Sequence, residues 1–329
     1  MKPITKIFIG IDILIVFCFA LVYGPFDGAR VFWITTSMNT LNHKYLAHIF
    51  YSEDTIKDVL SKNYYKQLDS ITDISQVVID IPEADGNYSS VYEKEILERD
   101  KDALYKLIQF KYNRFNCFLV AIYDPTRVHA VVANPENYQG KILTEVVEEN
   151  DALVAINGGG YSWATGYPEG YVISNGKTIM ANHVNQYATA GITKDGVLMV
   201  GIFTPQQIEE YNIVEALSFS PALIVNGEPI EIIGTGGSGQ NPRAVIAQRK
   251  DGIMLFLVVD GYKGLGLSGR GGVYYNDLLE ILKRYGAYNA LNLDGGSSTT
   301  LVINNELINT PCEDHKLGQD YIRSAWILK

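Results

Sequence analysis

The stretch Asn289-Ala290-Leu291-Asn292-Leu293-Asp294-Gly295-Gly296-Ser297-Ser298-Thr299-Thr300 constrains this chain more than any other. Its first part is short, apolar-leaning and bounded by turn residues, the pattern of a buried strand. A carboxylate follows, then two glycines, whose backbone can take positive φ or approach a ligand closely. Four hydroxyls close the run, supplying donors and acceptors without bulk. A turn that only reverses the chain needs one Asp-Gly. This run marks a site candidate.

A second apolar run, 253–259, also ends in Asp-Gly, at Asp260-Gly261. Between the two, Leu278, Leu279, Leu282 and Tyr285 share a face at helical spacing, and Gly286 stands where a helix C-terminus favours a left-handed residue. Strand, helix, strand of this length is a βαβ unit, whose crossover makes the two strands parallel. Parallel strands end on one sheet edge, so Asp260 and Asp294 are expected to face one crevice, where open α/β sheets bind ligands. The alternative is two ordinary Asp-Gly turns.

The first segment reads as a membrane signal. Lys2 and Lys6 precede 7–23, which carries a single charge, Asp12, and Gly24-Pro25 ends it. Its length is at the lower limit for a spanning helix and long for a signal-peptide core, and no cleavage box is visible. The expectation is an uncleaved anchor over residues 1–25, lysines inside and the body outside the cell. Residues 26–91 read as a helical stalk and linker: Ser52-Glu53-Asp54 starts a helix, with Ile56, Val59, Leu60 and Tyr64 as its apolar stripe. Residues 92–329 are then the main domain.

That body is folded, since the chain is 47% hydrophobic, with 30 Gly and 22 Tyr. A formal net charge of -10 without a basic cluster argues against nucleic acid as a partner. Cys117 and Cys312 are the two cysteines outside the first segment, too few to read as a framework. From Tyr92 the pattern turns to short strands with turn signals. Asn175-Gly176, Asp195-Gly196 and Asn226-Gly227 each close a hairpin, and a strand over 152–156 runs into Asn157-Gly158-Gly159-Gly160-Tyr161. Hairpins beside one βαβ unit indicate an α+β fold with a mixed β-sheet core. The glycine-rich loop 234–239 leads to Asn241-Pro242-Arg243, and an Arg at a strand mouth suits bidentate recognition of phosphate or carboxylate.

Asn157-Gly158-Gly159, Asn241-Pro242-Arg243, Val258-Val259-Asp260-Gly261, Asn292-Leu293-Asp294-Gly295-Gly296-Ser297-Ser298-Thr299 and Arg323-Ser324-Ala325 occur in that order. Together they resemble the phosphodiester glycosidase family over about residues 92–329. Two positions depart: Gly160-Tyr161 replaces a pair of aromatics, and Ser324 follows Arg323 where proline is common. The resemblance implies hydrolysis of a sugar-1-phosphodiester at its anomeric carbon. The phosphate already leaves as an anion, so the site needs donors on it and a carboxylate near the oxocarbenium-like carbon. It implies Arg243 and Arg323 as phosphate binders, Ser297, Ser298 and Thr299 as hydroxyl donors, and Asp294 as nucleophile or base. Glu169 or Asp260 is the second carboxylate. Asn157, Gly158, Gly159, Asn241, Gly295 and Gly296 line the substrate.

Three other readings compete. Residues 264–269 match G-x-G-x-x-G, but the loop starts past the strand and ends before the helix, and a dinucleotide fold needs further βαβ units. A polysaccharide-binding module would use the tyrosines, which are scattered. A metal-dependent phosphodiesterase would need clustered ligands, whereas His43, His48, His129, His183 and His315 show no ligand spacing. No cofactor is expected, with a Ca²⁺ or Mg²⁺ at Glu169 and Asp294 left open. The expected partners are a carbohydrate phosphodiester of a cell-wall or secreted polysaccharide, cleaved at the cell surface, and the membrane through the N-terminal anchor.

Overall fold

The computed structural model describes residues 3–38, 44–84, 86–162, 164–263, 270–312 and 316–329. The G-x-G-x-x-G loop and His315 lie outside them, as does His43. The chain divides into two units, Met1–Lys66 with Ile232–Gly239, and Gln67–Glu231 with Gln240–Lys329.

The first unit is helical, with helices Pro3–Tyr23, Asp27–Met38, Tyr45–Phe50 and Glu53–Ser61. Ser52 caps the last of these, its side chain accepting from the Thr55 N–H, which satisfies a donor the helix itself cannot. Ile56 and Val59 are buried with Ile34, Ala47 and Tyr51, while Tyr64 lies beyond the helix and is exposed. The expected transmembrane helix is corrected here. Among the described residues no helix is long and apolar enough to cross a membrane. Asp12 sits mid-way along Pro3–Tyr23, where a carboxylate in hydrocarbon costs roughly 2.5–3.5 kcal/mol on insertion scales.

The second unit is built on three large sheets, each antiparallel throughout, and also holds a two-stranded ladder of Tyr262–Lys263 with Arg270–Gly271. The seven-stranded sheet runs Glu228–Pro229, Ala222–Val225, Ala287–Asn292, Arg243–Arg249, Met254–Val259, Phe115–Ile122, Tyr105–Tyr112. One five-stranded sheet runs Glu306–Leu307, Leu301–Ile303, Val154–Asn157, Ser324–Leu328, Val128–Val132, and the other Lys177–Asn182, Gly170–Ser174, Ile213–Phe219, Ala188–Thr193, Leu198–Gly201. One core joins all three: Phe256 and Leu291 from the first sheet, Ile156 and Trp326 from the second, Val172 and Leu217 from the third. Each such side chain removed from water contributes about 1.5–3 kcal/mol.

The helix Tyr275–Arg284 forms as expected, burying Leu278, Leu279, Ile281 and Leu282, with Gly286 at φ +74 after it. The βαβ unit is split, however. Arg243–Arg249 lies between the two strands that the helix connects and is antiparallel to both. Those strands therefore still run parallel to each other, with their carboxyl ends on the edge where Arg243 begins. Arg243 pairs with Val259, and Val245 with Asn292. The hairpin turns follow their chemistry. Asn175 and Gly176 have φ of 49 and 73, and Asn226 and Gly227 of 55 and 81, two positive values in a row as a two-residue hairpin loop requires.

Candidate active site

Three strand ends meet at one edge. Leu293 N–H donates to the Ala244 carbonyl at 2.8 Å, which carries the Asp294 loop past the start of the Arg243 strand. Asp294 N–H then donates to Gly158 O at 3.1 Å, joining it to the glycine-rich end of Val154–Asn157. Gly158 N–H donates to Ser324 O at 2.8 Å and Gly159 N–H to Ser324 Oγ at 3.0 Å. Ser324 thus uses the hydroxyl that a proline in its place would lack.

Asn157 holds the corner. It is fully buried; its amide Nδ2 donates to Asp294 O at 2.6 Å and its Oδ1 accepts from Thr300 N at 3.1 Å. Both ends of the hydroxyl loop are tied to one side chain. The neighbouring glycines have no room to grow. A Cβ on Gly295 would stand 2.8 Å from Pro242 O, and one on Gly159 would fall against the Ser218 carbonyl oxygen. Gly159→Ala is accordingly expected to cost about 1–3 kcal/mol by overpacking. A melting curve matching that of the unsubstituted protein would show that the backbone gives way freely.

Asp294 is half-buried. Burial pushes its carboxyl up to about 7, and the negative charge of Asp320 adds to this; hydrogen bonds from Ser298 and the Gly295 backbone pull the other way. Ser297 Oγ donates to Asp320 Oδ2 at 2.8 Å and Ser298 Oγ to the same oxygen at 3.5 Å. Thr299 is 1% exposed, and its hydroxyl has no hydrogen-bond partner among the described residues.

The other carboxylates differ in setting. Asp260 is 3% exposed; Asn309 donates to Oδ1 at 2.9 Å and Thr310 N–H reaches both oxygens at 3.2 and 3.1 Å. Burial raises its pKa. Asn309 also donates to Thr299 O at 3.0 Å, so Asp260 braces the loop from beneath. Glu169 hangs on the same glycine segment as Asp294, its N–H donating to Gly160 O at 3.1 Å. Its Oε2 accepts from Tyr187 OH at 2.5 Å.

The two arginines also differ. Arg243 is 4% exposed, with its guanidinium 4.4 Å from the Tyr275 ring centre and Nε 3.4 Å from Val273 O. Asn241 bridges to Val273 beside it, and Gly296 N–H donates to Pro242 O at 2.9 Å. This Asn-Pro-Arg segment supports the loop from behind. Arg323 is half-buried, its guanidinium 4.4 Å from the Tyr161 ring centre, with Nε donating to Gly166 O at 3.1 Å. Burial raises the Tyr161 pKa, Asp320 and Asp294 raise it further, and Arg323 lowers it. Tyr161 therefore feels both the carboxyl groups and the cation.

The structure brings together Asn157, Gly158, Gly159, Asp294, Gly295, Gly296, Ser297 and Ser298, with Arg243 behind them, Arg323 stacked on Tyr161 beside Ser324, and Glu169 along the glycine segment. Asp320 was not singled out from the sequence. Its only signal is a carboxylate three residues before Arg323. Among the described residues no three His, Cys, Asp or Glu side chains gather to hold a metal ion.

A carboxyl group pushed up to about 7, in a loop rich in hydroxyls, is of the kind that acid–base chemistry uses. The model of the phosphodiester glycosidase family matches residues 150–329, more than half of the chain. The chain belongs to that family. Bovine N-acetylglucosamine-1-phosphodiester alpha-N-acetylglucosaminidase is 29% identical over 193 residues, covering 53% of this chain and 36% of the relative. The human enzyme of that name is 28% identical over the same shares. The match thus spans about a third of the length of these curated relatives.

Among solved structures, the zebrafish catalytic domain of this phosphodiester glycosidase, auto-inhibited by its pro-peptide, aligns with a TM-score of 0.57 at 22% identity. That alignment covers 70% of this chain and 85% of that one. A hypothetical protein from Synechocystis aligns with a TM-score of 0.52 at 17% identity, over 68% and 61%. At these identities the likeness is one of fold.

Proposed function

We propose that this protein hydrolyses the bond between the anomeric carbon and the phosphate oxygen of N-acetylglucosamine-1-phosphodiesters. The observation that carries the reading is Asp294, a carboxyl group pushed up to about 7 at the meeting of three strand ends. A group of that pKa is half ionised at neutral pH, where a general base works best. In this reading Asp294 takes a proton from water as the water oxygen bonds to the anomeric carbon. The electrons of the broken C–O bond leave with the phosphate, and Arg323 stabilises the charge that gathers there. Family membership supports the reaction class.

The natural substrate is proposed to be a phosphodiester of a cell-wall or secreted polysaccharide, which places the working protein outside the cell. Tyr167 and Tyr321, 46% and 44% exposed, support this. They flank Arg323, which bonds to the Gly166 and Tyr321 carbonyls, and such amphipathic rings stack well on sugar faces.

The test incubates the full chain with UDP-N-acetylglucosamine and with the methyl phosphodiester of N-acetylglucosamine-1-phosphate, then separates the products. Free sugar, absent with Asp294→Asn, is the expected result. Sugar phosphate would mean cleavage at phosphorus and would overturn the reading.

A further inference from the structure

We propose that Tyr138 and Tyr167 form the subsite for the leaving-group side of the substrate, and that its occupant is a second sugar ring. This rests on the hydrolytic reading above and assigns specificity within it. Contacts lead from Asp294 to Gly158, from Gly158 to Ser324, and from Arg323, the residue before it, to Gly166 beside Tyr167. Exposure rises along that path, from buried Ser324 to exposed Tyr167. The anomeric carbon, the phosphate and the leaving group of a phosphodiester are joined in the same order.

Arg323 is held ready for the phosphate in the middle. Nε and Nη1 donate to Gly166 O and Tyr321 O at 3.1 and 3.2 Å, which fixes the guanidinium, and no carboxylate among the described residues pairs with it. The other N–H groups of the fork are left for an anion. The segment 133–141 is tied at both ends to the residues around Arg323. Ala133 N–H donates to Arg323 O at 2.9 Å, and Lys141 pairs with Ile322 through backbone bonds of 3.1 and 3.0 Å. A Cβ on Gly140 would fall on Arg323 Nη1, so this segment packs directly against the guanidinium.

Tyr138 stands within that segment at φ +57. A bulky side chain rarely takes this left-handed conformation, and the surroundings must hold it there. Its ring meets that of Tyr167 with 5.0 Å between centres and 62° between planes. Two rings at that angle make a corner of one face and one edge. The corner suits a chair-shaped sugar, whereas a planar base stacks best on parallel faces. Tyr138 lies outside residues 150–329, which the family model matches. The leaving group is therefore read in part by residues beyond the matched region.

The experiment measures kcat/KM for three phosphodiesters of N-acetylglucosamine-1-phosphate, whose second ester is to methanol, to the primary hydroxyl of glucose, or to that of uridine. In Tyr138→Gly the ratio of the glucose ester to the methyl ester is expected to fall by about 3- to 10-fold. Tyr138→Phe, which keeps the ring, should restore it. Glycine accepts the positive φ, so the first variant removes the ring without straining the backbone. A merely structural role would lower both rates alike, and an unmoved ratio overturns the proposal. A uridine ester preferred over the glucose ester, with the preference lost in Tyr138→Gly, overturns the sugar assignment.

Calorimetric titration of the Asp294→Asn chain with the same three esters reads recognition without turnover. If the parent cleaves none of them while the glucose ester still binds tighter than the methyl ester through Tyr138, the hydrolytic reading fails and the subsite stands. Cleavage with no Tyr138-dependent preference does the reverse. A chain that neither binds nor cleaves them overturns both.

Discussion

Asp294→Asn is expected to abolish hydrolysis and to make the folded protein more stable at pH 8. Removing a general base typically costs about 10²–10⁴ in rate. The stability gain follows from the raised pKa. The unfolded carboxyl titrates at about 3.9, whereas burial holds the folded one at about 7. Between these values the folded state keeps a proton that the unfolded state has lost, so stability falls as pH rises through the window. The penalty is absent below pH 4 and complete above pH 7.

Three units correspond to about 4 kcal/mol at most, and solvent contact at the half-buried group brings this to about 1–2 kcal/mol. Asparagine has no charge to bury. Its melting temperature should exceed the parent's by several degrees at pH 8, with the two converging near pH 4. A variant that melts lower at pH 8 would mean that the ionised carboxylate is stabilised in the fold.

Arg323→Gln should lower kcat/KM by about 10²–10³, chiefly through KM, with the pH midpoint of Asp294 little changed. The substitution removes a charge that pairs with the phosphate, and truncating one partner of such a pair costs about 2–5 kcal/mol. Arg323→Lys tests geometry at constant charge. Lysine lacks the planar fork that stacks on Tyr161 and keeps Nε against Gly166 O. It should recover only part of the loss. An unchanged KM in Arg323→Gln, measured by initial rates, would remove Arg323 from the phosphate site. Arg243 is then the next candidate, from its place behind Gly295.

What was legible in the sequence is what short-range chemistry dictates. Asn175-Gly176 and Asn226-Gly227 turn as they must, and the stripe Leu278, Leu279, Leu282 buries as a helix. The carboxyl-end edge carrying Asp294 was legible too, because the crossover sets strand direction. The strand order was not. Arg243–Arg249 enters between the two connected strands, and nothing in its own residues says which neighbours it will choose. Hydropathy misled at the first segment, where a nearly uncharged run suggested a span that the helix with Asp12 does not provide. The setting of Asp260 depends on Asn309, 49 residues away. Ser297 and Asp320 are 23 apart, with no pattern linking them. Partnerships of that kind exist only in three dimensions.

The clamp at Asn157 has a kinetic meaning. Its bonds to Asp294 and Thr300 close loops of 137 and 143 residues, and Gly159 reaches Ser324 across 165. Contacts so distant in sequence repay their closure entropy late, and chains dominated by them fold slowly. The edge that carries Asp294 is therefore assembled only when the strand Ser324–Leu328 docks. Activity, once assayed, doubles as a clock for the completion of folding.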